Sequence, residues 1–460
     1  MPVWLEKFLP ILILLAVVSV VLGRLPKVDH GHSPAFLRRR LWNWLPLGLS
    51  YAFLYMGRYN LAVAKNALGD LMTIEDFSNI KAVGTYVYGI SFLLNGPLTD
   101  RLGGRKTMLI CIAGTVAMNL GMGAYLASGP EGNITGVFSL LYGVNMYFQS
   151  FGAASIVKVN AHWFGLKERG TFGGIFGILI SLGIYFAYDW GKMIVEALPT
   201  QWVFFIPAII LVFFWFIDYF LVYDSPADVG LSDIDTQDAS WDDGPQKQGV
   251  MQIAKMMLTN PVIIIIGLVE LCSGFLRAAL MDYYIIFAKE TGIYSSFVPS
   301  NWGMLQCAAG ILGGVIAGTI SDRLFHSRRG PVSAVLYGVV LVSAIGMVFS
   351  LSSPLLGAIV VLMMLSIIGV HGMLSGTASM DFGGKKNVGI AVGIIDGLVY
   401  LGQGTQAVIL GQLLPSGPEK AVAQNWVAWP VALAVAALVG TLLALRLWNA
   451  RPTKGGAATH

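Results

Sequence analysis

The chain has 460 residues, of which 12% are charged and 56% hydrophobic, with a mean hydropathy of +0.70. Soluble proteins average about 25% charged residues, so too little polar surface exists here to wrap a soluble enzyme or binding module of this size. The net charge of +4 is small and its positives sit in loops, which leaves nucleic-acid binding unsupported. What remains is a polytopic protein whose first partner is the lipid bilayer, since about 20 apolar residues cross a membrane. Cys111, Cys272 and Cys307 all lie in apolar runs and read as small hydrophobes, so neither a disulfide framework nor a metal site or cofactor is expected. The 55 glycines suit close helix packing in lipid.

In chain order, apolar runs of spanning length predict helices near 8–23, 43–68, 82–99, 107–127, 135–160, 171–195, 202–223, 261–288, 299–320, 331–350, 354–379, 388–414 and 425–448. The first is followed by Arg24, Lys27, Arg38, Arg39 and Arg40, the reverse of a secretory signal's charge order. It reads as an uncleaved extra helix with an outside N-terminus, or as a helix lying on the membrane surface. Loops after alternate spans carry Arg101, Arg105 and Lys106, then Lys167 and Arg169, then Arg323, Arg328 and Arg329, then Lys385 and Lys386. The positive-inside rule puts these loops, and with them the C-terminus, in the cytoplasm. Asp224 to Gly249, with seven aspartates and two prolines, reads as a solvated linker after the sixth core span. The expected organisation is an extra helix and basic loop at 1–42, a six-helix bundle at 43–223, a cytoplasmic linker at 224–260, a second six-helix bundle at 261–450 and a tail at 451–460.

An internal repeat supports that division. Gly96-Pro-Leu-Thr-Asp100-Arg101-Leu-Gly-Gly-Arg105-Lys106 recurs as Gly318-Thr-Ile-Ser-Asp322-Arg323, with Asp322 placed 222 residues after Asp100 and Arg277 placed 219 after Arg58. Two parallel six-span halves are the sequence signature of an alternating-access carrier, an all-α membrane fold of two bundles in pseudo-twofold relation. In the repeated loop, glycines permit a tight turn while Asp100 or Asp322 can hold a neighbouring helix N-terminus or an arginine. Asp100, Arg101, Arg105, Asp322 and Arg323 are therefore candidate gating residues, with a purely topological anchor as the plainer reading.

Arg58 and Arg277 lie over a dozen residues deep in apolar spans, where an arginine costs at least ~2.5–3.5 kcal/mol on insertion scales. Each needs a partner or a water-filled space. Arg58 has no acidic neighbour in its span, whereas Arg277 has Asp282 five residues on and Glu270 seven back. Two repeat-related arginines facing one another would make a bidentate clamp for an oxyanion, phosphate above all. Tyr55, in the same stretch as Arg58, and Lys65, two turns beyond it, are further candidates, the lysine either adding charge near the anion or snorkelling to the interface. His371 can titrate, donate to an oxyanion or simply pack. Glu270 and Asp396 are arginine partners or proton carriers.

The loop pattern G-x-x-x-D-R-x-G-G-R-K resembles the signature of the major facilitator superfamily. From about Asn43 to Trp448 the chain further resembles its organophosphate:phosphate antiporter family, through Arg58-Tyr-Asn60, Tyr88-Gly-Ile-Ser91, His162-Trp-Phe-Gly-Leu-Lys-Glu-Arg169-Gly170, Ser225-Pro-Ala-Asp-Val-Gly-Leu231, Leu276-Arg277 with Asp282, Ser321-Asp322-Arg323 with Arg329-Gly330, and Lys385-Lys386. The resemblance implies that Arg58 and Arg277 bind the substrate phosphate and that Tyr88 lines the site. It departs where the family usually has a lysine and this chain has Phe92, and where glycerol-phosphate and hexose-phosphate members have a histidine and this chain reads Gly177-Ile-Leu-Ile180-Ser181. The expected function is transport of an anionic organophosphate in exchange for inorganic phosphate by a monomer of the bacterial inner membrane. A proton-coupled symporter of another organic anion, using Glu270, Asp396 or His371, and a sugar-phosphate sensor are the alternatives. No metalloprotease motif or nucleophile elbow appears, so an enzyme is not expected.

Overall fold

The computed structural model describes residues 33–164, 169–232, 259–325, 328–374 and 379–449, with the backbone alone at Asp100, 169–176, Asp322 and 379–392. The predicted first helix and most of the linker lie outside the described residues, as do the side chains of Asp100, Asp322, Lys385 and Lys386.

Twelve long helices are described: α1 (Pro34–Leu68), α2 (Ile74–Leu102), α3 (Gly104–Ala127), α4 (Thr135–Trp163), α5 (Arg169–Tyr185), α6 (Trp202–Leu221), α7 (Pro261–Met281), α8 (Trp302–Leu324), α9 (Arg329–Val348), α10 (Leu356–His371), α11 (Ser379–Leu413) and α12 (Ala428–Arg446). Their ends follow from local chemistry. Ser33 caps α1 by accepting from the Phe36 N–H at 3.2 Å, with Pro34 at the first position, and the helix stops at Gly69, whose φ of 58° suits a residue without a Cβ. Thr73 and Asp76 form a reciprocal capping box at the start of α2, and Asn260 followed by Pro261 opens α7. α5 passes through a π-turn at Phe186–Trp190 into a last helical piece, Gly191–Ala197, and α7 continues after Asp282 as Tyr283–Glu290.

By length and composition eight of the described helices are apolar enough to cross a membrane. α1, α2, α4 and α11 are outside that set, and they carry buried Arg58, Lys81, Asn145 with Gln149, and Gln403 with Gln406. Polarity is concentrated on the helices that meet in the middle of the molecule.

Packing repeats with a period of six helices. In the first half α1 packs on α5 and α6, α2 on α4, and α3 on α6; in the second α7 packs on α11 and α12, α8 on α10, and α9 on α12. The halves meet through α2 against α11 and α5 against α8, a pair of contacts that a twofold operation exchanges. This is the two-bundle, pseudo-twofold architecture predicted from the repeated loop.

Candidate functional site

Arg58 sits at the centre of the interface between halves. Its Nε donates to Gln149 Oε1 at 2.7 Å, Nη1 to the Tyr400 hydroxyl at 2.9 Å and Nη2 to the Tyr88 hydroxyl at 3.5 Å. The guanidinium carbon lies 4.8 Å and 4.7 Å from the ring centres of Tyr55 and Tyr88. All five contacts are neutral, so a side chain only 1% exposed keeps its full positive charge without a carboxylate. The backbone beneath it is pinned. Tyr142 donates to the Arg58 carbonyl at 3.1 Å, and Asn145 and Asn119 both donate to the carbonyl of Gly57, where a Cβ would stand 3.1 Å from the Asn119 amide.

Arg277 likewise has no carboxylate in hydrogen-bond contact, though Glu270 interacts with it electrostatically. Its Nε–H is buried and finds no acceptor, and the two acids that sequence spacing offered are engaged elsewhere. Asp282 faces Lys81 across the halves at 2.9 Å and receives the Tyr188 hydroxyl at 2.8 Å; Glu270 meets His371 Nδ1 at 2.8 Å. Tyr55, Tyr59 and Tyr400 interact electrostatically with both arginines. The Tyr88 and Tyr400 rings, one from each half, are 4.0 Å apart, and half-buried Phe92 stacks on Tyr88 at 5.9 Å. Chemically the arrangement is two guanidiniums set among tyrosine hydroxyls, a donor set whose geometry suits an oxyanion.

Two expectations are corrected. Asp282 does not pair with Arg277, because Lys81 and Tyr188 reach it first. Lys65 neither faces an anion nor snorkels: it is 1% exposed and bound to Glu290 of the second half at 3.2 Å. His371 places its Nδ1 2.8 Å from Glu270, as its packing reading allowed. Among the gating residues, Arg101 and Arg323 are exposed, while Arg105 donates to the Tyr219 carbonyl and lies over the Tyr223 ring at 4.8 Å. The N-terminus of α3 is capped by Asp224, which accepts from the Arg105 N–H at 2.8 Å.

Sequence reasoning missed the closure at the end opposite the Lys/Arg-rich loops. Lys81 lay one residue outside the predicted second span. Beside its contact with Asp282, Ser78 meets the Tyr283 hydroxyl at 2.7 Å and Asn66 donates to the Ile285 carbonyl at 3.2 Å. Asp189, presented by the π-turn, accepts from the backbone N–H groups of Gly303 and Met304 at 2.8 and 2.9 Å, capping α8 from the other half. The adjoining Asn301 gives α8 no side-chain cap of its own. Lys420 bridges Glu290 at 3.3 Å and Asp70 at 3.0 Å, and hydrogen bonding to Lys420 holds the Asp70 carboxyl below the usual carboxylate range. At the Lys/Arg-rich end, by contrast, Arg39 donates to the Leu221 carbonyl at 2.7 Å and Asn43 exchanges hydrogen bonds with the Tyr223 backbone, all within the first half.

Residues 47–407 match the Major Facilitator Superfamily, and the chain belongs to it. It is similar to the glycerol-3-phosphate transporter of Bacillus subtilis (26% identity; 81% of this chain, 86% of that protein) and to the membrane sensor protein UhpC of Salmonella typhimurium (24%; 90% and 93%). A bacterial homologue of the human lysosomal transporter Spinster, solved inward-facing and unoccupied, shares the fold with a TM-score of 0.71 at 14% identity, over 91% of this chain and 98% of that one. The protein is a multi-pass membrane transporter, and its relatives agree with the organophosphate:phosphate antiporter family.

Proposed function

We propose that the protein carries a small organophosphate across the bacterial inner membrane in exchange for inorganic phosphate, as a monomer working by alternating access. The observation that carries this reading is the pair of repeat-related arginines, Arg58 buried and Arg277 half-buried, neither in ion-pair contact with a carboxylate and both beside the same tyrosines. Taking the Lys/Arg-rich loops and the C-terminus as cytoplasmic, the contacts described above close the outer end, as an inward-facing carrier requires. An arriving phosphate displaces the Tyr400 and Tyr88 hydroxyls from Arg58, spans to Arg277 and cancels the repulsion between two like charges. The halves then close around it and open outward. An exchange partner follows from the same electrostatics, because returning unloaded leaves two guanidiniums facing each other in a medium of low dielectric.

The test is uptake of labelled glycerol-3-phosphate and glucose-6-phosphate into proteoliposomes with and without internal phosphate. Uptake that needs internal phosphate supports exchange; binding without any uptake selects a sensor. Arg58→Lys and Arg277→Lys are each expected to abolish uptake, since a point charge cannot reproduce the planar fork, and near-native uptake in either sinks the clamp.

A further inference from the structure

Glu270 lies two turns from Arg277 on the same face of α7 and is wholly enclosed. One carboxylate oxygen meets His371 Nδ1 at 2.8 Å, while the other, Oε1, is buried with no hydrogen-bond partner. His371 is 23% exposed, so the imidazole is the accessible member of the pair. The pair joins α7 to α10 beside the clamp, and neither residue belongs to the closure at the outer end.

The surrounding charges are few. Arg277 and Cys272 on α7 and Tyr337 on α9, whose hydroxyl donates to the Val269 carbonyl at 2.6 Å, interact electrostatically with Glu270. Of the other helices packed on the pair, α11 brings Tyr400 and half-buried Asp396, α8 brings Cys307, and α12 carries no titratable group before Arg446. Among the described residues, Arg277 is the cation shown to interact with the Glu270 carboxylate.

A sealed carboxylate with one bare oxygen is costly as a lone anion and tolerable when it shares a proton with the imidazole. With one proton the pair is neutral overall. When an anion occupies Arg277, the guanidinium's charge is spent on that anion, and the negative potential at Glu270 deepens. A second proton from the aqueous side then restores the balance, giving a carboxylic acid beside an imidazolium. We propose that Glu270 and His371 form a proton-binding site linked to the anion clamp, so that the carrier takes up a proton with its anion. This rests on the assignment of Arg58 and Arg277 as the anion site and adds to it a second transported species. Linkage makes the effect reciprocal: protonation of the pair tightens anion binding by the factor by which the anion tightens proton binding.

The experiment is calorimetric titration of the purified protein with inorganic phosphate at about pH 7, in buffers of different ionisation enthalpy, which reads the protons taken up per anion bound. Phosphate's own titration is common to wild type and variants and cancels in the comparison. Wild type is expected to take up more protons than Glu270→Gln or His371→Gln, by roughly 0.5–1 per phosphate, with affinity in the variants reduced by no more than the linkage factor. If Glu270→Gln does not fold, His371→Gln carries the same comparison. Equal proton uptake in wild type and a folded variant overturns the coupling while leaving the clamp standing. Absence of any binding heat in the wild type overturns the clamp, and the coupling with it.

Discussion

Asp224 and Asp189 do the same local work at opposite ends of the molecule, each accepting backbone N–H groups at the start of a helix that is not its own. Asp224 caps α3 and stays within the first half. Asp189 reaches from α5 of the first half to α8 of the second. The first bond survives any rocking of the halves, and the second must break when the outer end opens. The neighbouring contacts divide in the same way, with Lys81–Asp282 and Lys65–Glu290 crossing the interface and Arg39–Leu221 and Asn43–Tyr223 remaining inside one bundle. Polar contacts of similar geometry thus serve stability at one end and conformational equilibrium at the other.

The sharpest way to break this contrast is Asp282→Ala. It leaves Lys81 as an unpaired buried charge, a loss of about 3–5 kcal/mol that falls on the outward-closed state alone. A shift of at least roughly 100-fold toward outer opening is expected, read as a longer distance between spin labels placed at the exposed positions Glu131 and Ser295. The apolar pair Lys81→Met with Asp282→Leu should restore the short distance, and failure of both variants to differ from wild type removes the ion pair from the gate. Next comes Asp189→Ala, which costs a cap worth about 0.5–2 kcal/mol and should move the same distribution by roughly 2–30-fold. Asp224→Ala should lower the thermal unfolding temperature by a similar free energy and leave the distances unchanged. Equal effects of the two on the distances would erase the distinction between the ends.

The smallest effect is expected from Lys420→Met, because Asp70 is 94% exposed and its contact is screened, while Glu290 keeps Lys65 as a partner. The shift should be under about twofold and vanish in high salt. Since Lys420 holds the Asp70 carboxyl below its ordinary value, the contact contributes at neutral pH and is lost as pH falls through that lowered value. A wild-type distribution that responds to pH in the opposite direction contradicts the assignment.

The spans were legible because membrane length and apolar composition are local properties, and the repeated Gly-Asp-Arg loop revealed the halves. Arg58 and Arg277 were legible for the opposite reason: each is out of place in its own helix. Their partners were not. Spacing along α7 offered Asp282 and Glu270 to Arg277, yet which side chain arrives from the facing bundle depends on the rotation of two helices that no single run of sequence encodes. Lys81 was missed through a boundary, since a polar first turn was trimmed from an apolar span. Asp189 was invisible for a further reason, as a π-turn shifts the face presented by the residues in it away from the regular period.

The seam where α2 meets α11 has a consequence for what escapes sideways. A Cβ on Gly89 would stand 3.1 Å from the Gly397 carbonyl, one on Gly404 2.7 Å from the Tyr86 ring and one on Gly411 2.5 Å from Ser78. At Gly89 backbone lies almost on backbone, and at Gly404 and Gly411 the glycine backbone lies against a side chain of α2, so these three positions leave little room for an acyl chain. On its other side α11 presses Gly402 against the Leu271 carbonyl of α7, which ties it to the helix that carries Arg277. Close approach at Gly89, Gly404 and Gly411 narrows the α2–α11 seam to the bilayer, and a larger residue at any of them would pry the two halves apart from the lipid side.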